Sequence, residues 1–218
     1  MKKITEIYEE YKIQPTLEEH MLRVSGVTKW ILDNWRGVEL DKNKILTVAL
    51  LHDMGNILKF DFSPEVSPFI YTDEERKYWE EIKKEYQEKY GNQVHEATKK
   101  IVEELELPVE ISEKVGGLGF RQSEKFLENM DYISMIVQYA DMRVTPHTIT
   151  SIDERLKDFY RRYEKRSDFE ILFQEREDSR LALYEIQKII LKNTNENLLE
   201  ISDKIIQPLV EELKNFEI

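Results

Sequence analysis

The sequence predicts an all-α protein, because turn-forming residues are scarce, charged residues are abundant and apolar residues recur at helical spacing. Only 7 glycines and 6 prolines occur among the 218 residues, which is too few for the many turns of a β protein. Charged residues make up 35% of the chain and form long Glu- and Lys-rich runs, which suit helices with one solvent-facing side.

Five helices are predicted in the N-terminal half from apolar periodicity and from residues that begin or end helices. Asp41 can cap the second of them, which is apolar on nearly all sides, as in a fully buried helix. Thr72 and Glu75 form a capping pair at the start of the third, and Gly91 ends it. The predicted ranges are 17–35, 41–58, 72–91, 92–105 and 109–117.

The C-terminal half continues the helical pattern. Pro146 ends the first predicted helix of this half, because proline cannot continue a helical hydrogen-bond ladder. Ser151 and Glu154 then form a second capping pair. The predicted ranges are 124–143, 152–166, 169–191 and 197–216.

We expect residues 1–150 to form the main helical domain and residues 151–218 to form a C-terminal helical extension packed on it. The composition changes little near residue 150, so the boundary is soft. The acidic extension also offers surface for a homodimer, and this alternative stays open beside packing on the domain.

The charge and residue content exclude several classes of protein and site. A net charge of -12 argues against a general nucleic-acid-binding surface, so a long nucleic acid is not expected as a partner. The chain shows no long apolar run and no signal-peptide pattern at its start, so we expect a cytoplasmic protein without a membrane segment. Because cysteine is absent, any metal must be bound by imidazole and carboxylate.

The adjacent residues His52 and Asp53 interrupt an apolar run, Val48 to Leu51. Burying an imidazole beside a carboxylate without partners is costly. A divalent ion satisfies both groups, because neutral imidazole and carboxylate suit Mn, Fe, Co, Ni or Zn. Hydrogen bonds to neighbouring helices are the alternative, and this pair alone does not decide between the two.

Two further polar residues stand on apolar helix sides. His20 follows Leu17 by one turn, and Asp141 follows Val137 by one turn. Taken singly, each is typical of a hydrogen-bonded structural residue. Three helices that each bring an imidazole or a carboxylate inward favour a shared site.

Three segments together resemble the HD-domain metal-dependent phosphohydrolases: 20–24, 49–56 and 139–143. They contain, in the order of that family, a histidine, an adjacent His-Asp pair and a distant aspartate, and the likeness covers about residues 15–150. The resemblance implies an HD-domain-like helical bundle that holds one divalent ion (Mn, Co, Ni, Fe, Mg or Zn). The implied metal ligands are His20, His52, Asp53 and Asp141.

His95 lies in a segment similar to one that supplies a further histidine in two-metal members of the family. Those members add another histidine on the next short helix, where this chain has only glycines and a leucine at 116–119. A complete two-metal site is therefore not expected. The remaining roles for His95 are a catalytic acid, a phosphate contact or a group behind the ligands, with a surface histidine as the alternative.

Three basic residues are further candidates for contact with a substrate. Arg23, one turn after His20, either binds a phosphate or pairs with a structural carboxylate. Lys59 either approaches a phosphate or is a solvated lysine at a helix end. Arg143 is expected to orient groups near Asp141. The predicted substrate-binding residues are Arg23, Lys59, His95 and Arg143.

The resemblance implies hydrolysis of a phosphate mono- or diester, with a nucleotide or a related small molecule as the expected substrate. Asp53, His95 and Arg23 are the expected catalytic residues. Two other functions stay open. One is iron-dependent oxygenation, which uses the fuller set of histidines, and the other is a non-catalytic nucleotide sensor or partner-binding module.

Overall fold

Helices make up nearly all of the regular structure. The computed structural model describes residues 1–63, 71–145, 148–163 and 177–218. Within these ranges the chain forms eleven α-helices, three short 3-10 turns, three isolated bridges and no strand. The prediction of an all-α fold is confirmed.

The first three helices are α1 (Ile4–Glu10), α2 (Pro15–Asp33) and α3 (Lys42–Leu51). The sequence pattern does not predict α1. The second predicted helix ends at Leu51 rather than at 58, and a 3-10 turn, Asn56–Lys59, follows it. At this end the ring Nδ1 of His52 lies 2.7 Å from the carbonyl oxygen of Ala49. The prediction of helix beyond Leu51 is wrong, because a local side-chain hydrogen bond replaces the regular helical pattern there.

The next three helices are α4 (Asp73–Tyr90), α5 (Val94–Glu104) and α6 (Val109–Gly117), close to their predicted ranges. The predicted capping pair is present: the hydroxyl of Thr72 accepts from the amide of Glu75 at 3.2 Å, and the carboxylate of Glu75 accepts from the amide of Thr72 at 2.7 Å. Gly91 ends α4 with a φ of 91°, a conformation that favours glycine. The buried Tyr86 fixes α4 to the body by donating to the carbonyl oxygen of Tyr11.

The segment predicted as one helix over 124–143 forms two, α7 (Ser123–Glu128) and α8 (Tyr132–Asp141). Met130 between them has a φ of 49°. Asp131 caps α8 by accepting from the amide of Ser134 at 3.3 Å, and it also pairs with Lys114 at 2.5 Å. The single-helix prediction is wrong, because the apolar pattern continues across a break that Asp131 stabilises.

The last three helices are α9 (Ile152–Tyr163), α10 (Glu177–Lys192) and α11 (Asp203–Leu213). The parts of the predicted helices that fall in 164–176 lie outside the described residues. The helix predicted from 197 begins at Asp203. It packs so closely on α2 that a Cβ built at Gly26 would lie 2.9 Å from Val210. The chain ends also meet, because the amides of Lys2 and Ile218 each donate to the other's carbonyl oxygen at 2.9 Å.

Three of the four predicted metal ligands lie at the ends of two deeply buried helices: His52 and Asp53 directly follow α3, and Asp141 ends α8. All four side chains from Val48 to Leu51 are 0% exposed, as are those of Val137, Tyr139 and Ala140 in α8. A polar residue at the end of either helix is therefore fixed by a rigid apolar support. None of the described helices combines the length and the apolar character needed to cross a membrane.

Candidate metal centre

His20 on α2, His52 at the end of α3 and Asp141 at the end of α8 meet at one point. His20 Nε2 lies 3.1 Å from Asp141 Oδ1, and His52 Nε2 lies 3.9 Å from the same oxygen. One candidate ligand atom from each of the three residues lies within 4.8 Å of the other two. The structure therefore brings together two imidazoles and a carboxylate that are far apart in the sequence.

The ring of His52 is oriented so that one nitrogen is left to bind something else. Its Nδ1 lies 2.7 Å from the carbonyl oxygen of Ala49, which can only accept, so Nδ1 carries the proton. Nε2 then has a free lone pair, and it is buried with no hydrogen-bond partner among the described residues. A backbone carbonyl that fixes the outer nitrogen of a histidine in this way is typical of a metal ligand.

Asp141 is held in its ionised form. Burial alone would raise the pKa of Asp141, but a hydrogen bond with His20 and the positive charge of Arg155 help to lower that pKa far below its ordinary range. The carboxylate is therefore negatively charged at every physiological pH. It provides the charge that a divalent ion between the two imidazoles requires.

Asp53 lies at the edge of this group. Its Oδ2 is 3.7 Å from Nε2 of His20 and 3.7 Å from Nε2 of His52, and it accepts a hydrogen bond from the side-chain amide of Asn56. Within the described chain, the compact group of possible ligands comprises the other three residues and not Asp53. Three of the four predicted ligands are thus in one group, and the fourth stands beside two of them.

His95, in the first turn of α5, lines the cavity that opens from this group. Gly55 lets the chain after the His-Asp pair approach α5, since a Cβ at that position would lie 2.8 Å from the backbone of Val94 and of Thr98. Gly119, with a φ of 155°, lies under the imidazole, because its Cβ would be 3.5 Å from Cε1 of His95. Gly55 thus permits the close approach to the helix that carries His95, and Gly119 lies in contact with the imidazole.

The imidazole of His95 is neutral at pH 7. Burial and the charge of Lys59 lower the pKa of His95, while Asp53 and Glu96 raise it to a smaller extent. A neutral ring can donate one hydrogen bond and accept another. The segment 116–119 also lines the cavity beside His95, and the expectation about a second metal stays a prediction.

A cavity of about 1410 Å³ opens at the metal group and is lined by residues of α5, α6, α7, α8 and α9. Its described lining contains five acidic and five basic side chains, so a divalent ion would bring the formal charge of this lining to +2. On a chain with a net charge of -12, such a cavity is suited to an anion. These side chains are Asp53, Glu110, Glu113, Asp131 and Asp141, with Lys59, Lys114, Arg121, Lys125 and Arg155.

Arg143 does not face this cavity. Its side chain is buried, and its guanidinium donates to the hydroxyl of Tyr139 at 2.6 Å, to the carbonyl oxygen of Leu198 at 2.8 Å and to that of Thr150. These contacts connect α8 with the C-terminal part of the chain. The prediction that Arg143 binds the substrate is wrong, because its donors are used in the interior.

Arg23 is turned toward α11. Its Nε lies 3.1 Å from Oδ1 of Asp203, and it is not among the described residues that line the cavity. Of the two roles left open by the sequence, pairing with a carboxylate is the one present, although the partner comes from the C-terminal helix. The prediction of Arg23 as a catalytic and substrate-binding residue is therefore corrected.

Lys59 and Arg155 are cations in the described lining of the cavity. Lys59, at the end of the 3-10 turn, is exposed there, and its contact with a substrate stays a prediction. Arg155, on α9, also lines the cavity and is not predicted from the sequence. Periodicity and capping predict the helix that carries Arg155, but they do not indicate that this helix covers a site formed by residues far away in the chain.

A family model described as HD domain matches residues 17–143, which is more than half of the chain. The match includes His20, the His52-Asp53 pair and Asp141, and it ends before α9. No curated protein and no solved structure shows a significant match to the chain. Because the family model covers the helices that form the metal group, and because the group is assembled in the structure, the chain belongs to the HD-domain family.

Proposed function

We propose that this protein is a metal-dependent phosphohydrolase that acts on a phosphate ester of a nucleotide or a related small molecule. The observation that carries the proposal is the free, buried Nε2 of His52, which faces Asp141 beside His20 and has no partner within the described chain. HD-domain proteins are usually metal-dependent hydrolases, and the donor set fits that chemistry.

One divalent ion is held, in this proposal, by His20, His52 and Asp141, with Asp53 as the fourth ligand. Such an ion supplies Lewis-acid polarisation of a phosphoryl oxygen and activation of water. Asn56 orients Asp53 through its amide, and its own Oδ1 is buried and finds no donor in the described structure. That oxygen is available to accept a hydrogen bond from water beside the phosphoryl group.

His95 and Lys59, which line the same cavity, act on the substrate. His95 is neutral, so it contributes a hydrogen bond to a phosphoryl oxygen rather than a charge. Lys59 contributes the charge, which offsets the negative charge that develops on the phosphoryl group during transfer. A substrate of nucleotide size is supported by the volume of about 1410 Å³ and by three aromatic side chains in the lining. They are Phe60, Phe120 and Phe126.

The test is phosphate release from a panel of nucleotides and simple phosphate esters. Metal-stripped protein is compared with protein supplied with Mn, Co, Ni, Mg or Zn, and with the variants Asp53→Ala and Asp33→Ala. Asp33 is the matched control, because it pairs with Lys29 on the surface, away from the cavity. We expect turnover that requires a metal, is lost in Asp53→Ala and is kept in Asp33→Ala.

Other outcomes distinguish the alternatives. Metal binding without turnover of any ester, together with oxygen consumption in the iron-loaded protein, would replace hydrolysis by oxygenation. Tight nucleotide binding without turnover, at every metal tested, would indicate a sensor. If the protein bound no metal, the proposal of a metal-dependent activity would be wrong.

A further inference from the structure

Arg155 reaches the metal end of the cavity from outside the part of the chain that matches the family. Its helix, α9, is capped by Ser151, whose hydroxyl accepts from the amide of Glu154 at 3.2 Å. Ile152 and Leu156 are 2% and 4% exposed, so they anchor this first turn of α9 in the core. Arg155 stands next to Leu156 on this anchored turn, and both residues line the cavity.

The guanidinium of Arg155 keeps unused donors in this position. Its Nε is buried and meets no acceptor among the residues that the structure describes, while Nη1 lies 3.3 Å from Oδ2 of Asp158. Leaving a buried hydrogen-bond donor without an acceptor costs more free energy when the donor belongs to a charged group than when it belongs to a neutral one. The planar guanidinium matches two oxygens of a phosphate at once, so a phosphoryl group supplies the missing acceptors.

The charges around the metal group point to the same ligand. The carboxylates of Asp53 and Asp141 together balance one divalent ion. Lys59 then has no carboxylate partner among the described residues, and the guanidinium of Arg155 is offset only by Asp158, which lies 3.3 Å from Nη1. Lys114, another cation of the lining, is already paired with Asp131 at 2.5 Å.

We propose that Arg155 binds the phosphoryl group of the substrate beside the metal, so that the C-terminal extension completes a site built by the HD domain. The inference rests on the proposed function for the identity of the substrate. The position of Arg155 would serve equally to bind any phosphate anion at this place in the cavity. Arg155 and Lys59 approach the anion from α9 and from the 3-10 turn, respectively. The two residues thus enclose the phosphoryl group between the domain and its extension.

The experiment uses the full chain loaded with Mn²⁺ and compares wild type with Arg155→Gln, Arg155→Lys and Arg161→Gln. Arg161 is the matched control, because it is exposed on the same helix and is not among the described lining residues. Metal stoichiometry is measured first, since Arg155→Gln and wild type must bind equal amounts of metal for the comparison to report on phosphate. The affinity for inorganic phosphate is then measured by calorimetry, and KM and kcat are measured on the best ester of the panel.

We expect Arg155→Gln to weaken phosphate binding and to raise KM by about 10- to 100-fold, as for loss of a hydrogen bond to a charged group. Arg155→Lys should recover part of this loss, because it restores the charge but not the two-point geometry. Arg161→Gln should match wild type. A purely structural role for Arg155 would instead change metal content or thermal stability and leave phosphate affinity unchanged in the folded, metal-loaded protein.

The outcomes separate this inference from the proposed function. If wild type turns over esters and Arg155→Gln has the same KM and phosphate affinity, the role of Arg155 is refuted and the phosphohydrolase stands. If no ester is turned over but phosphate binds to wild type and binds weakly to Arg155→Gln, the anion site stands and the hydrolase proposal fails. If phosphate binds equally to both proteins, or to neither, the inference about Arg155 is overturned.

Discussion

The Nδ1 proton of His52 is donated to the carbonyl oxygen of Ala49 over 2.7 Å, and this one bond links the end of a helix to the chemistry of a site. The bond involves a backbone carbonyl of the last turn of α3, where the α-helix stops. It also fixes the tautomer of the ring, which leaves the lone pair of Nε2 directed at Asp141. The same hydrogen bond therefore accompanies the end of α3 and orients the candidate metal ligand His52.

Replacing His52 by alanine removes that lone pair. We expect the affinity for Mn²⁺ to fall by more than about 100-fold, since even partners behind a ligand typically contribute 10- to 100-fold. The measurement is a competition titration against a chelating dye. His95→Ala is the control, because His95 lines the same cavity and is not part of the compact ligand group of the described chain. Equal affinities in His52→Ala and wild type would remove His52 from the site.

Gly55 sets the distance between the 3-10 turn and α5. A Cβ there would lie 2.8 Å from backbone atoms of Val94 and Thr98, which cannot move aside as a side-chain tip can. We expect Gly55→Ala to lower the free energy of unfolding by about 1–3 kcal/mol, as for overpacking in a core. It should also lower kcat, because His95 shifts relative to Asp53.

Gly117 is the matched control for this substitution. A Cβ built at Gly117 meets no described atom within 4 Å, so Gly117→Ala is expected to change stability by less than about 0.5 kcal/mol. Urea unfolding of both variants gives the comparison. Equal stability of Gly55→Ala and Gly117→Ala would show that the close approach at Gly55 is not required.

The state of His95 predicts the acid limb of the pH profile. Burial and the charge of Lys59 lower the pKa of His95, so its neutral form persists to lower pH than in free imidazole. Since the neutral ring is the proposed donor, kcat/KM should stay level through neutral pH and fall only below about pH 6.5. His95→Gln keeps a neutral donor, so it should retain more activity than His95→Ala and lose the dependence on this titration. A rise in kcat/KM on acidification would contradict this role and favour His95 as a protonated acid.

Much of this architecture follows from the sequence. The capping pair of Thr72 and Glu75, the buried character of α3 and the polar residues His20 and Asp141 on apolar helix sides are local signals, and the structure contains each of them. Apolar periodicity does not predict a helix end that lacks glycine or proline. The end of α3 and the break at Met130 depend on side-chain hydrogen bonds to the backbone, which an apolar pattern does not record.

The roles of the arginines needed the tertiary structure. Arg23 and Arg143 stand close in sequence to candidate metal ligands. Both nevertheless bond to the C-terminal part of the chain, Arg23 to Asp203 and Arg143 to the carbonyl oxygen of Leu198. Arg155 is distant in sequence from every ligand and still lines the cavity. The direction of each arginine side chain and the packing of α9 determine which arginines reach the cavity. Neither can be read from a single sequence without its fold.

Asp203 attaches α11 to the domain, and its charge predicts a pH-dependent stability. Burial would raise the pKa of Asp203, but hydrogen bonds from Thr148 and from the amide of Ile149, together with Arg23, lower it. Because the folded pKa lies below the unfolded value of about 3.9, this carboxylate stabilises the fold above that pH, and the contribution is lost as the pH falls through the lower folded pKa. The Asp203 side chain is 44% exposed, so solvent screens these interactions. We therefore expect Asp203→Asn to cost less than about 1 kcal/mol at pH 7, and we expect its difference from wild type to shrink below about pH 4.

Urea unfolding at several pH values measures this difference. Asp33→Asn is a suitable control, because Asp33 pairs with Lys29 at 3.0 Å on the surface, where an ion pair contributes little. A difference between Asp203→Asn and wild type that stays constant from pH 7 to about pH 3 would contradict a role for the ionised carboxylate.

The most direct test of the account is the amount of metal bound per chain in wild type and in Asp141→Asn. Each protein is saturated with Mn²⁺, freed of unbound ion and measured by elemental mass spectrometry. We expect one ion per chain in wild type and almost none in Asp141→Asn, because asparagine lacks the negative charge proposed to hold the ion beside His20 and His52. A wild-type chain without bound metal, or a variant that keeps the full amount, would contradict it.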